Sequence, residues 1–139
     1  MKQFYGMSPR GSLEEALQGL YNPQFIMLLS NNDQFEEHVL MLEKRFPGVP
    51  SIGCIGMSYQ TKVVEHGVGV IAFSDGVSAA ANVLEHVSVM PVKYIQRLER
   101  DVQTVGGSGR DTVCIDFCAG NDACVLTTIN TVLRQRDIS

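Results

Sequence analysis

A chain of 139 residues, 45% apolar and 19% charged, is long enough to bury one core without staples and has the balance of a globular protein. Its formal net charge of -4 speaks against a nucleic-acid footprint. The longest apolar runs, Phe25–Leu29 and Val70–Phe73, fall far short of a membrane span.

The opening MKQFYGMSPR lacks the apolar heart of a signal peptide, which predicts a cytoplasmic location. Ser12-Leu13-Glu14-Glu15 then has the spacing of a capping box, with Ser12 accepting from the Glu15 amide and Glu15 reaching back. Leu13, Ala16, Leu17, Leu20 and Tyr21 follow at helical spacing as one apolar face, and Asn22-Pro23 stops the helix. Phe25–Leu29 is continuous and apolar, as in a strand covered on both faces. Ser30-Asn31-Asn32-Asp33 makes a turn, and Asp33 with Glu36 repeats the capping spacing. Phe35, Val39, Leu42 and Phe46 form the buried stripe of a second helix, which Pro47-Gly48 ends. Strands are predicted over Ser51–Ile55 and Val68–Phe73.

Val83, Val87 and Val89 make Val77–Met90 a long strand, although Ala79-Ala80-Ala81 suits a helix. Pro91 opens the next helix, with Ile95, Leu98, Val102 and Val105 inward. Gly106-Gly107-Ser108-Gly109 is a flexible connector; it precedes a strand and lacks the Lys-Ser/Thr ending of a phosphate loop. Thr112–Phe117 reads as another buried strand. Asn121 or Asp122 caps a last helix whose Val125, Ile129 and Val132 face inward. The sum is an α/β fold: a mixed β-sheet with helices packed on it.

Phe25–Phe46 and Val113–Gln135 share one plan of strand, polar turn and helix, with turns SNND and AGND. These two strand–turn–helix units form a weak internal repeat. The first copy runs on into PSIGCIG, so a matching strand and small-residue turn is expected beyond Ser139, or a partner completes the sheet edge.

Four cysteines, Cys54, Cys114, Cys118 and Cys124, do not make a disulfide framework, and their spacing is not that of structural zinc. On one strand, Cys114 and Cys118 would stand about 13 Å apart, too far for one ion. No metal and no cofactor is expected. Each histidine follows a glutamate, at Glu37-His38, Glu65-His66 and Glu85-His86. Adjacent residues point apart on a strand or a helix, so these pairs read as coincidence on solvated faces. Lys93, Arg97 and Arg100 alternate with Glu99 and Asp101 as a solvated helix face.

The densest signal is the run Phe46–Phe73, where Gly53, Cys54, Gly56 and Ser58 crowd one turn and let another group approach the backbone. In an open sheet, ligands favour the carboxyl ends of strands, and helix N-termini there favour a carboxylate. The candidate ligand-binding residues are Ser30, Asn31, Asn32, Gly53, Cys54, Gly56, Gly120, Asn121 and Asp122. Ordinary turn and cap chemistry needs the same residue types in the same places.

At FPGVPSIGCIG followed by GVGVIAF the chain resembles the N-terminal part of the FIST domain, in a Pro-Gly-x-Pro turn, an Ile-Gly-Cys strand end and a Gly-rich approach to a valine-rich strand. The family continues from Ile-Gly-Cys into Ser, Thr, small, Gly and Glu, where this chain has Ile55, Gly56, Met57, Ser58 and Tyr59. The resemblance implies a sensory module in signal transduction. It would bind a small molecule, an amino acid or derivative among the candidates, and report to an effector domain or signalling protein. It also implies that residues 1–139 are one α/β domain or the N-terminal part of a larger sensory one. Two other readings stay open. One is a hydrolase- or transferase-like enzyme with Cys54 as nucleophile and His66 as base. The other is a structural half-domain whose exposed edge strand drives homodimerisation.

Overall fold

The structure, a computed structural model, describes residues 1–56, 58–59, 62–63, 65–85, 91–107, 109–117 and 123–138. It divides into two compact units, Met1–Ala79 and Ala80–Ser139.

The first unit is built on a four-stranded mixed sheet. Its strands are β1 (Lys2–Ser8), β2 (Phe25–Ser30), β3 (Ser51–Ile55) and β6 (Val68–Ser74), in the order β1-β6-β2-β3. β2 and β3 are parallel; β6 is antiparallel to both β1 and β2. Between β3 and β6 stands a small antiparallel ribbon, β4 (Ser58–Tyr59) with β5 (Lys62–Val63). Among the described residues this unit has two helices, α1 (Leu13–Ala16) and α2 (Phe35–Arg45).

One sheet face carries Ile26, Leu28, Val68, Val70 and Ala72, all buried, and these pack with Leu13, Ala16, Leu17 and Leu42 from the helical side. The opposite face carries Phe25, Met27, Leu29, Ile71 and Phe73, each half-buried. The strands over Phe25–Leu29, Ser51–Ile55 and Val68–Phe73 stand where the sequence predicts them. β1 is not legible from its own pattern. It is an edge strand, and its residues Lys2, Gln3 and Gly6 carry little strand propensity; its pairing to β6 is what makes it a strand.

α1 is only four residues long, and the chain leaves it through Leu17 and Gly19, which sits at φ +88°. Tyr21, expected on the buried face, is 87% exposed because the helix has ended before reaching it. Half of the predicted capping box forms: Ser12 Oγ accepts from the Glu15 amide at 3.3 Å. Glu15 does not reach back. Its Oε2 accepts from Ser8 Oγ at 2.7 Å and from Arg10 Nη2 at 3.1 Å, while the Ser12 amide donates to Ser8 Oγ. Those two bonds, Ser8 first, hold the Glu15 carboxyl below its ordinary range. A lowered folded-state pKa contributes stability that is present above the ordinary carboxylate value and is lost as pH falls through the lowered one. Glu15→Gln is therefore expected to flatten the acid side of the Tm–pH curve between pH 5 and 3; an unchanged slope there counts against the Ser8–Glu15 bond.

The second unit holds α3 (Pro91–Val105) and α4 (Ala123–Arg134). Pro91 opens α3 as predicted, and Val102, Ile129, Leu133 and Ile138 form the core of this unit. Gly106 is a helix stop rather than part of a loose connector: at φ +65° it donates to the Gln103 carbonyl at 3.1 Å, while the Gly107 amide reaches Val102 at 3.1 Å. Two expectations fail here. Residues 77–85 carry no strand, and residues 86–90 of that prediction lie outside the described residues. Residues 112–117 carry no strand either, and Val113, Ile115 and Phe117 are exposed. Their alternation suits a strand, but a strand forms only where a neighbour takes up its backbone groups. The α/β class stands, while the second copy of the internal repeat keeps its helix and lacks its strand.

Candidate functional site

The parallel pair β2 and β3, with α2 between them in sequence, brings two strand ends together. Ser30 aligns with Ile55, and the Gly56 amide donates to the Ser30 carbonyl at 2.9 Å. Among the described residues, this junction is where the predicted positions Ser30, Asn31, Gly53, Cys54 and Gly56 converge.

Asn31 is 1% exposed and fully engaged. Its Oδ1 accepts from the Gln34 amide at 2.9 Å, and its Nδ2 donates to Gln34 Oε1 at 3.0 Å and to the His66 carbonyl at 3.1 Å. Its own amide reaches the Gly67 carbonyl at 3.1 Å. Asn31 rather than Asp33 therefore satisfies the start of α2, whose N-cap, Gln34, makes no capping bond with its own side chain. The work at this corner needs a donor as well as an acceptor, and a carboxylate has no proton to give.

The stripe of α2 is also rearranged. Leu42 is buried and Phe46 half-buried as expected, but Val39 is 39% exposed and His38 takes the inward place at 2%. The reading of Glu37-His38 as a solvated coincidence is thus corrected. His38 is tolerated inside because both ring nitrogens have partners: Nδ1 lies 2.7 Å from Ser30 Oγ and Nε2 lies 3.0 Å from the Gly11 carbonyl. Gly11 is at φ +78°, and a Cβ there would stand 2.6 Å from the His66 carbonyl oxygen. One knot therefore joins the loop before α1, the ends of β2 and β3, α2 and the approach to β6. No motif marks His38; the only sequence signal is a histidine at i+3 from Phe35 and i−4 from Leu42 on the inward face.

The other predicted residues divide. Asn32 is exposed beside the strand ends. A Cβ on Gly53 would lie 3.2 Å from the Leu28 carbonyl oxygen and 3.6 Å from Phe35 Cε2, so its smallness serves the packing of α2 on the sheet. A Cβ on Gly56 would meet only ordinary contacts with Leu29. Cys54 is half-buried and aligns with Leu29, on the face opposite Ser30 and His38. Among the described residues no hydrogen bond joins Cys54 to a histidine, and His66 is exposed with its backbone carbonyl committed to Asn31. Cys114 is exposed, and its thiol is pushed up by partial burial and by the Asp116 carboxylate. Gly120, Asn121 and Asp122, together with Cys118 and His86, lie outside the described residues.

The profile of the FIST N domain matches residues 24–139, so β1, α1 and Gly11 lie ahead of the matched span. No curated protein and no solved structure matches the chain. Among the described residues no helix is long and apolar enough to cross a membrane. The Ile-Gly-Cys strand end at β3, the valine-rich β6 beside it and a family match over most of the chain make this protein a member of the FIST family, whose domain is a sensory module of signal transduction rather than a catalytic one.

Proposed function

We propose that the ends of β2 and β3 form part of a pocket for a small ligand, an amino acid or another small carboxylate, and that occupancy is read by an effector domain or signalling partner. The observation that supports this most is the parallel β2–α2–β3 unit, whose strand ends and helix N-terminus meet where ligands settle in open sheets. Ser30 and Asn31 are the frame, since their side chains are already bonded within the protein. Asn32, Cys54 and Gly56 supply the contacts with the ligand. Binding shifts the balance between pocket states, and that shift is the signal.

A thermal-shift screen against amino acids, small carboxylates and nucleotides tests the reading. A ligand at about 100 times its Kd adds about 2.7 kcal/mol, a rise of several degrees for a domain of this size. The expected result is a dose-dependent rise with one carboxylate class that Asn32→Ala reduces at least threefold in apparent affinity. A flat response to every carboxylate, or a rise indifferent to Asn32→Ala, counts against the site.

A further inference from the structure

We propose that His38, Ser30 and the Asn31 carbonyl form a proton-responsive hydrogen-bond relay at the strand ends, independent of any ligand. The Gly11 carbonyl can only accept, so the hydrogen of a neutral His38 ring is on Nε2. Nδ1 then has a free lone pair, and the Ser30 hydroxyl, 2.7 Å away, donates to it. Ser30 Oγ also lies 3.2 Å from the Asn31 carbonyl oxygen, but a hydroxyl has one hydrogen and serves one acceptor fully.

When the ring takes up a proton at Nδ1, that N–H donates to Ser30 Oγ. The hydroxyl hydrogen swings to the Asn31 carbonyl. No heavy atom has to move, and each ring nitrogen keeps its partner in both states. What changes is the bonding of Asn31, the residue that holds the start of α2 and the loop at His66–Gly67. The backbone of Ser30 in turn holds Gly56. A proton taken up in the core is thus reported at the candidate site. Because Gly11 lies ahead of the matched family span, one end of the relay is anchored outside it.

The charged and titratable groups on the segments around the ring are Asp33, Glu36 and Glu37 at the start of its own helix, Arg10 and Glu15 flanking Gly11, and Glu65 and His66 beside Gly67. None of them is hydrogen-bonded to the ring; Arg10 and Glu15 bond to each other at 3.1 Å.

Nitrogen-15 NMR of the histidine rings in the intact chain, followed from pH 8 downwards while it stays folded, tests the relay. The expected result is an Nε2–H tautomer for His38 at high pH. As His38 protonates, the amides of Asn31, Gln34 and Gly56 should shift with the same midpoint. Ser30→Ala should uncouple those amides while His38 still titrates, and His66→Gln should leave the coupling intact. An Nδ1–H tautomer overturns the proposal. So does a His38 transition with silent Asn31 and Gly56 amides, coupling that survives Ser30→Ala, or unfolding that coincides with the first proton taken up by His38.

Discussion

Gly6→Ala is expected to destabilise the first unit by about 3 kcal/mol or more, the upper range of overpacking penalties. Gly6 pairs with Val70 and faces α1. A Cβ there would stand 1.8 Å from the Ala16 carbonyl oxygen and 2.9 Å from both Ala16 C and Phe4 Cε1. The obstacle is backbone, so no rotamer change relieves it; α1 must lift off β1 and expose Leu13 and Leu17. Urea unfolding followed by circular dichroism should show a lower midpoint with the same slope. Gly48→Ala is the matched control. Gly48, unlike Gly6 on its strand, has a left-handed backbone, φ +76°, and nothing lies within 4 Å of the added atom. Its cost is backbone strain alone, about 1–2 kcal/mol. Equal losses in the two variants would mean that α1 does not pack on β1 as closely as described.

His38→Ala is expected to cost about 2–4 kcal/mol, from lost packing and from two buried polar groups, the Gly11 carbonyl and the Ser30 hydroxyl, left short of a partner. His38→Gln keeps a donor near the place of Nε2 and should recover about 1 kcal/mol of that by restoring the Gly11 bond. The same urea experiment reads both. A His38→Ala loss below about 0.5 kcal/mol would put the ring on the surface, in the range of ordinary exposed substitutions.

These two positions also show where the sequence can and cannot be read. Glycine is the residue with the smallest side chain, so Gly6 fits a close approach, but nothing local says what approaches. The carbonyl of Ala16 is ten residues away and meets Gly6 only after α1 folds back over β1. His38 sits at the right spacing for the inward face of α2, yet a histidine is admitted there only if both nitrogens find partners. Those partners are Ser30 and Gly11, eight and 27 residues away. Asn31 was legible as a turn residue, but that its side chain is committed to Gln34 and the loop at His66–Gly67 depends on a contact 35 residues off. The candidate site was therefore visible in outline, as small and polar residues after buried strands. Which of them frame it and which face outward was not.

By itself the sequence determined the strands over Phe25–Leu29, Ser51–Ile55 and Val68–Phe73, the start of α3 at Pro91, the helical stripe ending in Leu42 and Phe46, and the family resemblance at Ile-Gly-Cys. Each of these rests on a local property: a continuous apolar run, a breaker, or spacing near the helical repeat. Tertiary structure decided that Lys2–Ser8 is a strand and residues 112–117 are not, although the second has the better strand pattern. It also decided that α1 stops after four residues and that His38 turns inward. The physical reason is common to all of these. A strand exists only when another strand takes up its hydrogen bonds, and a polar side chain is buried only when distant groups satisfy it, so both outcomes are set by neighbours that the local sequence does not contain.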